Sequence, residues 1–227
     1  MKSFVLFMSL LFLSFGTHAQ ELSQVTFSLG KNLSSLTFLT DQAILIKISA
    51  DGKVLEWGTD PGPGRYYNDP ARWQPYIGRV DYYGPEYDSV LRGKVKSIGT
   101  CSLSYFGIYE PGPKCGKLKT IGSVALEYYD DYENEAFKGK LKFAGTVLFT
   151  FYGAYDNEAL RGKLKSVGNT SITYYTTFDD KLISGKLKSI GMFNYTWYAS
   201  FDRREFQGAM KSGPVSQLIN GVTYLIR

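Results

Sequence analysis

Lys140, Lys163 and Lys186 stand 23 residues apart, and Tyr129, Tyr152, Tyr175 and Tyr198 keep the same interval. The lysines belong to a motif that reads GKVKSIG at 93–99, GKLKTIG at 116–122, GKLKSVG at 162–168 and GKLKSIG at 185–191, so a second lysine follows each first one after a single residue. Amines beside aromatic rings support one kind of chemistry, which is recognition. The rings stack on flat apolar surfaces such as sugar faces, and the ammonium groups meet carboxylates or sulfates. Repeated along a chain, the set suits an acidic polysaccharide or another cell-surface polymer. The plainer alternative is that the lysine stems lie along the rings and keep an exposed face soluble. A second candidate cluster is Tyr66, Tyr67 and Trp73, interleaved with Arg65, Arg72, Asp60 and Asp69 in the Pro/Gly-rich stretch 59–77. Such a stretch is either a packed plug or a binding loop.

Other chemistries lack their residues. His18 is the only histidine, and it falls within an N-terminal segment that reads as a signal peptide: Met1-Lys2, an apolar run from Phe4 to Phe15, then Thr17-His18-Ala19. Cleavage after residue 19 leaves a mature chain with no histidine, hence no Ser-His-Asp triad and no His-based metal site. No cofactor is expected. The acids Glu133, Asp156, Asp179 and Asp202 recur with the repeat and read as turn residues, not as a catalytic carboxylate pair. A carbohydrate-active enzyme working through carboxylates is kept as an alternative, but no single unit carries a distinct polar cluster. Cys101 and Cys115 raise the question of a disulfide in an exported chain. The strand register sets them about 20 Å apart, beyond the reach of a bridge, and only the irregular EPGP turn at 110–113 leaves room for one. The balance is against it.

The leader sends the protein out of the cytoplasm, to the periplasm, the cell surface or the medium. A formal charge of +5 with bases and acids in similar numbers gives no basic block, so nucleic acid is not an expected partner. No mature segment is long and apolar enough for a transmembrane helix. The 18 tyrosines and 15 phenylalanines suit half-buried β-strands.

The lysines and tyrosines need elements to hold them, and the repeat supplies these. Glycines at 93, 116, 139, 162, 185 and 208 open successive 23-residue units. With columns counted from that glycine, columns 9, 11 and 13 are mostly apolar (Val147, Phe149, Phe151) and column 17 is aromatic in every unit from 93 on. Odd columns share one face of a strand. The pattern predicts two strands per unit in an antiparallel meander. One turn would be a three-residue connection over columns 6 to 8. The other would be a tight turn centred on columns 19 and 20, which sets Tyr132 opposite Phe137, Tyr155 opposite Leu160 and Phe201 opposite Phe206 on the buried face. The same register sets Phe151 opposite Leu164, Tyr174 opposite Leu187, and Tyr129, Tyr152 and Tyr175 across from Lys140, Lys163 and Lys186. Both lysine columns would then point outward with the column 14 rings.

The expected fold is therefore all-β: a meander of tandem 23-residue hairpins over 78–214, open, rolled or closed. A β cap over 20–58 precedes it, including strands at 25–29, 35–39 and 43–49. The segments 52–58 and 78–84 read as degenerate units. A hairpin with an Asn-Gly turn at 215–227 is expected to close the C-terminal edge. The repeat text, GK[LV]KSIG then YY then [FY]D, resembles tandem repeats of uncharacterised secreted bacterial proteins, a resemblance that implies no particular activity. It is similar to MORN repeats only in period. The function expected is a structural or binding role at the cell envelope or outside the cell, without catalysis; an outer-membrane β-barrel is the architectural alternative.

Overall fold

The computed structural model of the protein describes residues 21–60, 73–110 and 112–227. The leader at 1–19, Tyr66 and Tyr67 lie outside the described residues. The rest is all-β, arranged as two open sheets packed face to face, with a separate two-stranded ribbon.

The first sheet is built from both ends of the described chain. It contains β1 (Glu21–Ser28), β2 (Asn32–Leu39), β3 (Ile44–Ile48) and β4 (Val54–Thr59) as an antiparallel meander. The second comprises β5 (Val80–Tyr82), β6 (Val95–Ile98), β7 (Cys101–Tyr105), β8 (Leu118–Ile121), β9 (Val124–Tyr128), β10 (Leu141–Ala144), β11 (Val147–Phe151), β12 (Leu164–Val167), β13 (Thr170–Tyr174), β14 (Leu187–Ile190) and β15 (Phe193–Asn194), paired in strict chain order. The last unit breaks from this sheet, and β16 (Thr196–Trp197) pairs with β17 (Met210–Ser212) as a separate ribbon. Finally β18 (Ser216–Ile219) and β19 (Val222–Ile226) form the Asn-Gly hairpin.

That hairpin does not close the edge of the repeat sheet as expected. β19 instead pairs in parallel with β1, giving the first sheet the order β18-β19-β1-β2-β3-β4. The segment 52–58 is likewise part of this sheet, as β4, and not a repeat unit, whereas β5 does begin the repeat sheet. The first sheet covers the apolar side of the second. Val25, Phe27, Phe38 and Ile46 from one layer and Ile98, Leu118, Phe149 and Leu187 from the other are fully buried in a single core. A sheet with one apolar face needs such a partner. Amides of the repeat sheet also reach the cap directly: Leu118 N donates to Gly52 O at 3.3 Å, Leu141 N to Ala50 O at 3.0 Å and Leu187 N to Gly30 O at 2.7 Å.

Within a repeat, Phe151 pairs with Leu164 and Tyr174 with Leu187, as the register requires. The connection at columns 7 and 8 has two residues, not three: Ala144 pairs with Val147 around Gly145-Thr146. Gly145 has φ 58 at the first loop position, the geometry of a type II′ hairpin turn. One residue fewer in the loop would throw the side chains onto the wrong face. A bulge corrects this, since Leu141 pairs with Tyr128 but Phe143 pairs with Glu127, leaving Lys142 extra. Column 3 and column 6 residues, such as Leu164 and Val167, therefore both point into the core although they are an odd number apart.

The other connection departs further. In the unit that opens at Gly139, the strand stops at Phe151, and residues 153–163 run through successive turns closed by Asp156 N to Gly153 O, Leu160 N to Asn157 O and Lys163 N to Leu160 O. Column 17 thus lies at the tip of a loop, not opposite column 22. Tyr132, Tyr155 and Phe201 are 100%, 101% and 84% exposed, which reverses their expected place on the buried face. The cause is local hydrogen bonding. Asp156 Oδ2 accepts from Gly153 N at 2.6 Å, Asp179 Oδ2 from Thr176 N at 2.6 Å and Asp202 Oδ2 from Ala199 N at 2.7 Å, so the turn folds on itself before a second strand can pair.

Candidate binding faces of the repeat stack

The two lysine columns part company. Lys94, Lys117, Lys140 and Lys186 turn along the sheet, and each donates from Nζ to the carbonyl of the first glycine in the next unit: Gly116, Gly139, Gly162 and Gly208. Each also lies over the column 13 ring of its own unit, with Lys140 5.1 Å from the Phe151 centroid and Lys186 4.2 Å from that of Trp197. Burial lowers the pKa of both amines. Lys163 breaks the series. Its Nζ donates to Lys31 O at 2.9 Å and Asn32 Oδ1 at 2.7 Å, which ties the fourth unit to the β1–β2 turn. Burial first, and then the Lys31 and Lys140 charges, hold its pKa down to about 8.

The column 14 rings are also used internally. Tyr129 Oη donates to Phe149 O at 2.7 Å, Tyr152 Oη to Ile172 O at 3.0 Å and Tyr175 Oη to Tyr195 O at 3.0 Å, each reaching one unit ahead. Burial raises their pKa values. Tyr198, in the broken last unit, packs beside Phe206 with centroids 5.3 Å apart. Tyr129, Tyr152, Tyr175, Lys140 and Lys163 are therefore partly or wholly inside the stack, and Lys186 is buried. They act as stitches between units.

The outward lysines are those of column 4. Lys96, Lys119, Lys165, Lys188 and Lys211 are exposed and Lys142 is half-buried. Each caps a column 14 ring, at 5.1 Å for Lys142 over Tyr129, 5.5 Å for Lys165 over Tyr152 and 5.7 Å for Lys188 over Tyr175. The bulge explains the split, because it rotates the chain between the two lysines of each motif. Lys142 pairs with Glu133 at 2.6 Å and Lys211 with Asp202 at 3.5 Å, whereas no ion pair is found for Lys119, Lys165 or Lys188 among the described residues. Hydroxyl pairs run beside them: Thr150 with Ser166, Thr173 with Ser189 and Thr196 with Ser212, all at 2.6 Å.

Of the other candidates, Trp73 sits against the cap sheet, where Lys47 Nζ lies 4.4 Å from its ring and Gln74 bridges to Thr59. It is not part of the repeat face. Cys101 and Cys115 are both free, and burial pushes the Cys101 thiol up to about 11, which leaves it unreactive. Two features escaped sequence reasoning. One is the loop-tip position of column 17. The other is the column 19 side chain, which bridges units: Asn157 Oδ1 accepts from Ala159 N in its own loop and from Thr177 N in the next, both at 3.1 Å. Asp and Asn at columns 18 and 19 carried the signal, since adjacent turn-capping residues mark a tip and not a strand.

Fold and faces together define a two-layered all-β repeat protein whose motif residues hold the stack together. Comparison with protein-family models, with curated proteins and with solved structures finds no match.

Proposed function

We propose that this chain is an exported, non-enzymatic scaffold that binds an extended acidic polymer, such as an acidic polysaccharide of the cell surface, along the outward face of its repeats. One observation supports the reading: column 4 places one lysine per repeat on the solvent side, Lys96 through Lys188 on the repeat sheet and Lys211 on the ribbon that follows it. Successive units are offset by two strands, so these charges recur about every 10 Å. A line of like charges at fixed spacing gains little from within the protein and much from a polyanion laid along it. Each contact is weak in water, and the sum over several units provides the affinity. The hydroxyl pairs beside the lysines add hydrogen-bonding partners for a sugar polymer. The absence of chemistry is argued from the turn acids, each of which spends its carboxylate on the backbone of its own loop.

The test is affinity electrophoresis or pull-down against acidic polysaccharides at low and high salt, with the triple variant Lys119→Gln, Lys165→Gln, Lys188→Gln. Binding is expected to weaken steeply with salt and to fall about tenfold or more in the variant. Binding that ignores both salt and the substitutions overturns the reading.

A further inference from the structure

Column 17 carries an aromatic residue in five consecutive units, and among the described residues none of the five rings is used by the fold. Tyr109, Tyr132, Tyr155, Phe178 and Phe201 are 99%, 100%, 101%, 93% and 84% exposed. A lone exposed aromatic needs no explanation. Five in register do, because the same loops could carry any polar residue at that position at no cost to the core. The loops themselves are well fixed. The acid at column 18 accepts the column 15 amide, and the column 19 side chain accepts an amide from the following loop, as Asn134 does from Ala154 N at 3.0 Å, Asn157 from Thr177 N at 3.1 Å and Asp180 from Ser200 N at 3.2 Å. Tyr132, Tyr155, Phe178 and Phe201 are therefore held in line by bonds that run from loop to loop, and Tyr109 precedes them at the same column.

We propose that these five rings form a second binding line, distinct from the lysine face, for a single chain of an uncharged β-linked polysaccharide with a two-sugar repeat. Three features select that ligand. Tip-to-tip spacing is twice the strand separation, about 10 Å, which is the order of the repeat of two sugars in an extended β-1,4-linked chain. Tyr and Phe rings present flat faces that stack on the C–H side of such sugars. The three central loops are mainly acidic, with Asp130, Asp131, Glu133, Glu135, Asp156, Glu158, Asp179 and Asp180 against Lys138, Arg161 and Lys181, while the first and last are balanced, Glu110 with Lys114 and Asp202 and Glu205 with Arg203 and Arg204. That charge disfavours acidic glycans, nucleic acid and anionic membranes at this edge, and leaves neutral chains. Because adjacent strands in a sheet are rotated, the line of tips winds with the stack. It therefore matches a free, rotatable chain better than the flat face of a crystalline polymer.

The experiment measures binding of soluble β-1,4-linked oligosaccharides of increasing length, neutral throughout, to the full chain by calorimetry at low and high salt. The triple variant Tyr132→Ala, Tyr155→Ala, Phe178→Ala and the lysine triple variant above are measured alongside. Since the three rings are fully exposed and hold no internal bond, the ring variant is expected to keep its melting temperature, and Tyr155→Trp to retain or improve binding. Affinity should rise with chain length until several rings are spanned and should be insensitive to salt. The ring variant should lose about tenfold or more, and the lysine variant nothing. Flotation with zwitterionic and anionic vesicles is run in parallel. No binding of any neutral chain, binding unchanged in the ring variant, or vesicle binding that the ring variant abolishes would each overturn the proposal. Salt-sensitive binding of acidic polymers lost only in the lysine variant, together with no binding of any neutral chain, would overturn this proposal while leaving the lysine-face reading intact.

Discussion

Asn157 shows how much of each repeat is spent on holding its neighbour. Its Oδ1 accepts two amides, one in its own loop and one in the next, and its Nδ2 donates to Thr177 Oγ1 at 2.7 Å. The equivalent carboxamide or carboxylate recurs at Asn134 and Asp180, so the side chain is a joint, repeated in three consecutive units. Asn157→Ala removes all three bonds and leaves two amides to find water. The loss is expected to be about 1–2 kcal/mol, the usual size for a cap that is partly exposed. Asn157→Asp keeps both acceptors and loses only the donor, so it should retain most of that stability. Urea denaturation of the two variants checks the order; equal losses would mean that the Nδ2 donor carries the joint. The lysines of column 2 and the tyrosines of column 14 follow the same logic. Their chemistry is used up between units, and the groups left for a partner are the plainer ones at columns 4 and 17.

At the scale of the element, the strands and their periodicity were legible in the sequence and the connections were not. Alternation at columns 9, 11 and 13 identified the inward residues, and the pairs Phe151 with Leu164 and Tyr174 with Leu187 followed from it. The two errors have different causes. A single residue more or less in a loop inverts a strand, and the chain absorbed that residue as a bulge at Lys142, which leaves no mark in an apolar pattern. Columns 15 to 18 and column 22 looked like strand on either side of a tight turn because aromatic residues favour strands, yet side-chain bonds to the backbone outweighed that weak preference. Tyr132, Tyr155 and Phe178 were thereby assigned to the core although they stand at the tips. Glycine marks the two kinds of turn differently, and this can be measured. Gly168 has φ 53, and a Cβ there would lie no closer than 4.0 Å to Val147, so Gly168→Ala should cost only the backbone term, about 1–2 kcal/mol. Gly162 has φ 68, and a Cβ there would come within 2.6 Å of Ala136 O in the preceding loop. Since that carbonyl is backbone and cannot swing away, Gly162→Ala should cost clearly more. Chemical denaturation that ranks the two the other way would mean that the loop edge yields more easily than its hydrogen bonds suggest.

Over the whole molecule, the parallel pairing of β19 with β1 joins the two ends of the described residues and makes the stack unlike an open-ended array. Repeat proteins without such a closure unfold piecemeal, because each unit touches only its neighbours. Here each unit from Gly93 to Gly185 also touches the first sheet or its turns, through Thr100 N on Gln42, Gly52 under Tyr128, Leu141 N on Ala50 O, Lys163 on the β1–β2 turn and Gly30 under Trp197. The covering sheet in turn depends on β19, whose removal would strip β1 of one partner and expose Val25 and Phe27, both fully buried. The hairpin also reaches the repeats directly, with Gln217 Nε2 donating to Tyr195 Oη and Asn220 Nδ2 to Thr170 Oγ1 at 3.2 Å. The full chain is therefore expected to unfold in one cooperative transition despite its repeated sequence. A chain ending at residue 214 should melt at a lower temperature, and amide exchange should rise most in β1, β13 and β14, next to the missing hairpin, and least in β6 to β8, which lie far along the stack from it. Uniform exchange over all repeats after truncation would instead mean that cooperativity runs through the repeat sheet alone, with the covering layer as a passive lid.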